Sequence, residues 1–278
     1  MSASAAPVEA WSGKDRGDEN FPVGSVLIRR SLRPHVHAYY AFARNADDIA
    51  DSPDLPSPEK IARLDRMEAV LLGREDGGSP SAVRLRASLA ETAVTPRHAT
   101  DLLVAFRQDA TKRRYASWDE LMEYCRFSAM PVGRHVLALH GEDPATWHSS
   151  DPLCAALQVL NHLQDGGKDL AALDRCYLPQ DVLDEAGVGV AALRAPAASP
   201  GLRRVFDRLL DHVDALNAIG DDLPRRVRDR RLRLETAVIC GLCRRLARRL
   251  RAADPVATRV NLGKGDVAAA LAGASRFL

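Results

Sequence analysis

The sequence predicts an all-α protein from its composition, from its helix start and stop signals, and from two sets of polar residues at helical spacing. Of the 278 residues, 46% are hydrophobic and only 5% aromatic; Ala, Leu and Arg are abundant, and runs of β-branched residues are few. This mixture favours helices over strands. Nothing resembling a linker divides the chain after its first residues. We therefore expect one helical domain over 19–278.

The first two helices are bounded by prolines, a serine and a glycine. Pro34 fits the first turn of a helix that runs to Asp51, because proline leaves no N–H unpaired there. Two X-Pro steps soon after Asp51 end this helix. Ser57 caps a second helix, which Gly73 closes. Similar signals and apolar repeats place the other helices over 81–94, 96–111, 117–141, 152–169, 199–219, 228–252 and 265–277.

The segment 117–141 carries both a start signal and a kink signal. Ser117 and Glu120 have the spacing of a capping box. In this motif the side chain of each residue accepts a hydrogen bond from the backbone N–H of the other. Pro131 and Gly133 interrupt the pattern further along. We therefore expect a kink at these two residues.

The next two helices are placed by prolines and a serine. Pro152 opens the first of them, which runs into Gly166 and Gly167. The segment 194–201, RAPAASPG, has the composition of a loop. Ser199 begins the following helix from within this loop.

Net charge and cysteine content exclude several classes of protein. A formal net charge of +2 gives no global attraction to nucleic acid. The five cysteines are an odd count without a disulfide framework, which fits a reducing cytoplasm. Cys240 and Cys243 form one CxxC pair inside an amphipathic segment, with no second pair and no adjacent histidine. We interpret them as packing residues rather than as a metal or redox site.

The first residues of the chain and the basic helix bear on where in the cell the protein acts. Residues 1–18 lack the basic and apolar regions of a signal peptide, and we expect a disordered lead-in there. No apolar run approaches the roughly 18 residues of a membrane span, so we expect a cytoplasmic protein. The basic face of 228–252 is either a solvated surface or a patch that rests on anionic lipid at the inner face of the membrane. Its candidate contacts are Arg244, Arg245, Arg248 and Arg249.

Two sets of polar residues lie at helical spacing within apolar sequence. The first set steps by 4, 3 and 4 residues and contains Tyr40, Arg44, Asp47 and Asp51. The second steps by 3, 4 and 4 residues and contains Gln158, Asn161, Asp165 and Asp169. Each set therefore lies on one face of a helix, over about 16 Å. We expect the two acidic stripes to face each other across a cavity, where their mutual repulsion calls for cations.

This arrangement suits a magnesium-bound diphosphate. Magnesium takes only one or two carboxylates per ion and prefers oxygen ligands and phosphates. Cations on a diphosphate neutralise it as a leaving group, so a carbon–oxygen bond can break heterolytically. The carbocation that results needs a dry apolar pocket, and helices rich in Leu, Val and Ala can supply one.

Motifs along nearly the whole chain resemble those of the squalene/phytoene synthase family. YAFARNADDIAD (40–51) is similar to the family's first aspartate-rich motif, and LQVLNHLQDGGKDLAALDRCYLP (157–179) resembles its second. The segments 19–25, 106–126 and 128–134 most resemble the hopanoid-pathway branch of the family, HpnC. The resemblance implies an isoprenoid-synthase-type helical bundle with a central cavity.

The resemblance also implies roles for individual residues. The magnesium ligands would be Asp47, Asp51, Asn161, Asp165 and Asp169. The diphosphate would be held by Arg44, Arg175 and Tyr177. Tyr40 and Gln158 would line the site near the reacting carbons, and Asn20 and Phe21 would close one end. Asp48 and Phe127 complete the expected substrate-binding residues.

Three departures from the family pattern bear on the reaction. Phe127 lies where synthases that condense two farnesyl diphosphates carry a tyrosine, so no hydroxyl is available there as acid or base. Its ring can still stabilise a cation through its face. Met130 replaces an Asn that is more frequent in this branch, and Gly166 and Gly167 replace bulkier apolar residues, so both departures bear on the shape of the pocket. The two glycines also weaken the helix by roughly 1–2 kcal/mol relative to two alanines.

The resemblance therefore implies an enzyme that ionises presqualene diphosphate and lets water capture the cation, giving hydroxysqualene and diphosphate. The alternative is head-to-head condensation of two farnesyl or geranylgeranyl diphosphates to presqualene diphosphate, squalene or phytoene. A non-enzymatic alternative is an assembly protein on the same fold, which would have no reason to keep self-repelling carboxylates. No nucleotide-binding fingerprint is present, so NADPH is not expected. Expected partners are the prenyl diphosphate, a membrane surface and other enzymes of the squalene pathway.

Overall fold

The computed structural model describes residues 8–9 and 27–277, and every regular element within them is helical. This confirms the predicted all-α class. In chain order the α-helices are α1 (Arg33–Asp51), α2 (Ser57–Leu71), α3 (Pro80–Thr92), α4 (Arg97–Asp109), α5 (Trp118–Ser128), α6 (Met130–Leu139), α7 (Trp147–Leu173), α8 (Gln180–Glu185), α9 (Pro200–Gly220), α10 (Leu223–Arg226), α11 (Arg230–Ala252) and α12 (Lys264–Ala274). Short 3-10 turns lie at Pro144–Thr146, Val190–Arg194 and Ser275–Phe277.

The helices group into two compact units. The first runs to Lys112 and includes His135–Gly141, so it holds α1 to α4 and the second half of α6. The second comprises Arg113–Arg134 and Glu142–Leu278, with α5, the first half of α6 and α7 to α12. Each has its own apolar core. Fully buried side chains include Phe42, Ile49 and Leu64 in the first unit, and Leu160, Phe206 and Leu246 in the second.

In the first unit, α1 packs against α2, α3 and α4, and its candidate site residues lie beside this packing face. In the second unit, α7 packs against α9 and α11, while α11 also carries α12. The basic helix α11 buries an apolar face whose residues repeat every four positions. Its buried members are Val238, Leu242, Leu246 and Leu250.

The capping signals act as predicted at α5, with one difference. The Ser117 hydroxyl accepts a hydrogen bond from the Glu120 amide at 3.3 Å. The Glu120 carboxylate accepts from the amide of Ala116, one residue before the expected partner. The first turn of α5 is therefore held at both ends.

The predicted kink after α5 is a complete break. The backbone at Ala129 leaves the helical region, with φ −122° and ψ −47°, and α6 then begins at Met130. Pro131 has no N–H for the carbonyl four residues earlier, which is why the helix does not run through. At Gly133 a Cβ would lie 2.5 Å from Ser150 Oγ and 2.6 Å from Cys154 Sγ, so only glycine fits against α7.

Three features of the second unit differ from the sequence-based boundaries. α7 begins at Trp147 and continues to Leu173, so Pro152 lies inside the helix rather than at its start. One missing N–H near a helix start is tolerated when both flanks are packed. The short helices α8 and α10 were not predicted, because helices of one or two turns depend on tertiary partners.

Two residues near the start of the chain pack against the first unit. Most of the predicted lead-in (1–18) lies outside the described residues. Of the two residues described there, Val8 is buried, and Glu9 accepts hydrogen bonds from the Ser79 hydroxyl at 2.5 Å and the Ser81 amide at 2.8 Å. None of the described helices is both long enough and apolar enough to span a bilayer.

Candidate functional site

The first acidic stripe lies on a partly exposed face of α1. Phe42, Ala46 and Ile49 are completely buried against the neighbouring helices. The stripe residues, which lie beside this apolar face, are all half-buried. They are Tyr40, Arg44, Asp47 and Asp51.

Arg44 is fixed between two carboxylates on its own helix. Its Nε lies 3.0 Å and its terminal nitrogen 2.5 Å from Asp48 Oδ1, and the same terminal nitrogen lies 2.9 Å from Asp47 Oδ2. The Asp48 side chain is only 3% exposed. Asp48 therefore anchors the guanidinium from the buried side, which leaves Asp47 on the more open side.

Asp47 lies in a field of negative charge. Burial and the neighbouring carboxylate of Asp51 raise the pKa of Asp47 well above its usual range, although Arg44 opposes the shift. Asp109, at the end of α4, is buried and contributes to the same rise. Asp109 is not among the predicted site residues. Its position three residues after Phe106, on the apolar side of α4, was the available signal, since an acid on a buried face requires a partner.

The second stripe lies on α7 and also has intermediate exposure. Its members are Gln158, Asn161, Asp165 and Asp169. Asp165 forms a two-pronged ion pair with Arg259, at 3.0 Å from Nε and 3.1 Å from a terminal nitrogen. Arg259 was not predicted as a site residue. It lies 94 residues away in a loop, and no local pattern marks it.

A buried aromatic cluster holds Arg175 next to this stripe. Arg175, only 3% exposed, donates to the Tyr177 hydroxyl at 3.1 Å. The Tyr177 ring stacks on His162 at 3.6 Å between centroids, and its hydroxyl lies 3.4 Å from that of Tyr124. Burial, and then the charge of Arg175, lower the pKa of His162 to about 3, so His162 is neutral. His162 was not predicted as a site residue, although it directly follows Asn161.

Two glycines of α7 allow a close approach of the chain. The helix continues through both of them to Leu173. A Cβ on Gly167 would lie 3.1 Å from the carbonyl oxygen of Leu193, and one on Gly166 would contact the Leu193 side chain. Glycine at these positions therefore lets the 3-10 turn Val190–Arg194 pack close to the acidic stripe.

Phe127 and Met130 lie on either side of the break between α5 and α6. Both side chains are half-buried. The guanidinium of Arg126 lies 5.5 Å from the centroid of the Phe127 ring. The side chain at 127 therefore offers an aromatic face without a hydroxyl.

The donor sets fit magnesium. Carboxylates and an amide oxygen are hard ligands, and the raised pKa of Asp47 marks a cluster that a cation would relieve. Among the described residues, no three histidine, cysteine or acidic side chains enclose a ready-made metal cage. A diphosphate-bound magnesium ion needs no such cage, because it keeps several waters and takes one or two protein carboxylates.

The predicted site residues are distributed over both units. Those of the first unit are Tyr40, Arg44, Asp47, Asp48 and Asp51. Those of the second are Phe127, Gln158, Asn161, Asp165, Asp169, Arg175 and Tyr177. Asn20 and Phe21 lie outside the described residues. The shared cavity between the two stripes stays a prediction.

Comparison with known proteins identifies the family. The sequence profile of the squalene/phytoene synthase family matches residues 14–266. The chain belongs to this family. Its members are enzymes that act on prenyl diphosphates.

Individual relatives and solved structures show which members of the squalene/phytoene synthase family the chain is similar to. The chain is 49% identical to hydroxysqualene synthase of Rhodopseudomonas palustris, over 91% of this chain and 87% of the relative. It is 46% identical to that of Sinorhizobium fredii, over 88% and 84%. The crystal structure of squalene synthase HpnC from Alicyclobacillus acidocaldarius is 32% identical and has a TM-score of 0.73, over 83% of this chain and 87% of that one. A ligand-bound dehydrosqualene synthase, 22% identical, shares the fold with a TM-score of 0.80, over 94% and 92%.

Proposed function

We propose that this protein ionises presqualene diphosphate and directs water to the carbocation, giving hydroxysqualene and diphosphate. The carbon–oxygen bond to diphosphate breaks, the bonding pair leaves with the diphosphate, and a new carbon–oxygen bond forms to water. The water loses a proton to solvent or to the released diphosphate. No electrons are transferred, so the reaction needs no reductant.

The extent of the similarity carries this proposal. Identity of 46–49% with proteins named hydroxysqualene synthase extends over about nine-tenths of the chain. The phenylalanine at position 127 supports the same conclusion. A ring without a hydroxyl can stabilise a cation but cannot exchange a proton with the substrate.

The chain's arginines suit the diphosphate. A guanidinium reads phosphate oxygens in pairs, and Arg44 and Arg175 are both held in place before substrate arrives, by Asp48 and by Tyr177 respectively. We propose that these two residues and Tyr177 bind the diphosphate. Tyr40, Gln158 and Phe127 would then face the hydrocarbon.

Magnesium completes the proposal. The residues that would hold it are Asp47, Asp51, Asn161, Asp165 and Asp169. When bound, magnesium neutralises the charge that develops on the leaving diphosphate. We propose that both acidic stripes serve one diphosphate. Asp47→Asn and Asp165→Asn should then each lower turnover by orders of magnitude, and the double variant should lose much less than the product of the two losses.

The deciding experiment uses purified protein, magnesium and labelled water, without NADPH. Presqualene diphosphate should be converted to an alcohol that carries the solvent oxygen, as mass spectrometry reports. Farnesyl diphosphate should be a poor substrate. Efficient formation of presqualene diphosphate or squalene from farnesyl diphosphate would overturn the proposal and favour the condensing alternative. Failure to release diphosphate from either substrate would favour the non-enzymatic assembly protein.

We also propose that the protein meets its apolar substrate at a membrane surface, through the basic face of α11. Of the four candidate arginines, Arg244 pairs with Asp221 and Arg249 pairs with Asp266. Sedimentation with vesicles should increase with anionic lipid content and decrease with salt. Contact with other enzymes of the pathway stays a prediction to which no surface is assigned.

A further inference from the structure

A small cavity opens between α11 and α12, and arginines surround it. Its volume is about 90 Å³. Roughly 10–15 Å³ is enough to admit one water molecule, so a group of several atoms fits. The arginines that line it are Arg244, Arg245, Arg248 and Arg276.

These arginines form fewer ion pairs with carboxylates than another arginine on the same helix does. Arg244 pairs with Asp221. Within the described part of the chain, Arg245, Arg248 and Arg276 form no ion pair with a carboxylate. On the same helix, by contrast, Arg251 pairs with two carboxylates.

One carboxylate lies close to the cavity. The pKa of Asp266 is below its usual range because the Gly263 amide donates to its side chain and because Arg249 and Arg245 are near. Its ion-pair partner is Arg249, at 2.7 Å. The lining arginines therefore keep an excess of positive charge.

Small residues make the concave shape possible. A Cβ on Gly241 of α11 would lie 3.2 Å from the Cβ of Ala270 on α12, so the two helices approach closely. At Gly273 a Cβ would meet no atom within 4 Å, and this residue lines the open part of the cavity. Small residues of both helices therefore line the cavity together with the arginines.

We propose that this cavity binds a phosphate group. Several guanidiniums around a concave site repel one another, and a phosphate relieves this repulsion while accepting paired N–H donors. On the neighbouring face of α12, Val267 and Leu271 are 42% and 49% exposed. The phosphate is carried either by an anionic lipid headgroup, beside which this apolar pair would contact acyl chains, or by a soluble phosphate or diphosphate. The site is independent of the proposed catalysis.

Two pairs of variants test the site without magnesium or prenyl substrate. Arg245→Gln with Arg248→Gln removes two lining charges, and Arg208→Gln with Arg251→Gln removes two paired arginines elsewhere in the second unit. Gly273→Glu places a carboxylate at the cavity. Gly265→Glu adds the same charge on α12, also where a Cβ meets no atom within 4 Å.

Two binding measurements separate the sources of the phosphate. One is sedimentation with phosphatidylcholine vesicles, with and without phosphatidylglycerol, and the other is calorimetric titration with inorganic phosphate and diphosphate. The two cavity variants should each lose about tenfold or more in affinity relative to their controls. Loss on vesicles alone assigns a lipid headgroup, and loss in titration assigns a soluble anion. If neither probe distinguishes the cavity variants from their controls, the proposal is overturned, whatever the outcome of the catalytic assay.

Discussion

The guanidinium of Arg259 forms a bidentate ion pair with the carboxylate of Asp165, with N–O distances of 3.0 and 3.1 Å. Asp165 is one of the proposed magnesium ligands, so in the substrate-free protein an internal cation already occupies it. Arg259 and a metal ion must therefore compete for the same oxygens.

Replacing Arg259 should make magnesium bind more tightly to the substrate-free protein. In Arg259→Gln the carboxylate keeps its place but loses its competing cation. An ion pair with this much exposure is worth up to about 1 kcal/mol, so the gain should be up to about fivefold. Isothermal titration calorimetry measures it, with Arg251→Gln as the control for lost charge. Weaker magnesium binding in Arg259→Gln would contradict the competition.

Asp47→Asn should lower turnover by orders of magnitude without weakening the fold. Burial and the carboxylate of Asp51 raise the pKa of Asp47 in the folded protein. As the pH rises from the unfolded-state pKa of about 4 towards the folded-state pKa, the ionised carboxylate therefore lowers the free energy of unfolding more and more. The amide removes this penalty. In magnesium-free buffer at neutral pH, the melting temperature of Asp47→Asn should equal or exceed that of the native protein. Asp65→Asn, on the exposed surface of the first unit, controls for the charge, and a marked drop confined to Asp47→Asn would refute the repulsion.

Phe127→Tyr tests whether the missing hydroxyl separates this enzyme from condensing relatives. Supplying an acid–base group at this position should produce detectable condensation of farnesyl diphosphate to presqualene diphosphate, while the native protein gives little. Phe277→Tyr adds the same hydroxyl elsewhere and should change nothing. Lipid products are identified by mass spectrometry. If Phe127→Tyr leaves condensation unchanged, the division of labour does not depend on this side chain.

His135→Phe should stabilise the protein in acid. His135 is 1% exposed and stacks on Tyr39 at 3.8 Å between ring centroids. Neither of its ring nitrogens has a hydrogen-bond partner within the described residues. Burial, with His98 and His35 nearby, lowers the pKa of His135 from 6.5 to about 3. Between these values the unfolded chain binds a proton that the folded chain does not.

As the pH decreases below 6.5, this histidine alone should therefore lower the free energy of unfolding by about 1.4 kcal/mol per pH unit. In His135→Phe the free energy of unfolding, measured with urea at several pH values, should fall less steeply as the pH decreases. Part of the slope should remain, because the pKa of His162 is lowered in the same way. The exposed His148 provides a control as His148→Gln. An unchanged slope in His135→Phe would show that the ring is protonated when buried.

Gly133→Ala should destabilise the second unit. The added Cβ would meet the side-chain oxygen and sulfur of two residues on α7 at 2.5 and 2.6 Å, and overpacking of this kind typically costs about 1–3 kcal/mol. Gly265→Ala, in open space on α12, should instead be neutral or slightly stabilising. Urea denaturation of both variants compares the two sites, and equal stabilities would mean that α6 shifts at little cost.

The helical class, most helix boundaries and the composition of both acidic stripes follow from the order of residues alone. These depend on local rules: caps and prolines act within one turn, and helical spacing alone places Asp47 beside Arg44 on one face. The same rules missed α8, whose first amides donate to the carbonyls of Tyr115 and Ala116. A helix of six residues gains too little from its own hydrogen bonds to be recognised without such partners.

Which charges neutralise one another and which stay unpaired depends instead on how the helices and loops pack. The contact of Arg259 with Asp165 and the field of Asp109 at Asp47 join residues far apart in sequence, and no periodicity encodes them. The same holds for the arginine cavity, where Arg276 follows α12 and meets the basic face of α11. Charge interacts through space and is screened or strengthened by burial, so its effect depends on packing that a linear pattern does not contain.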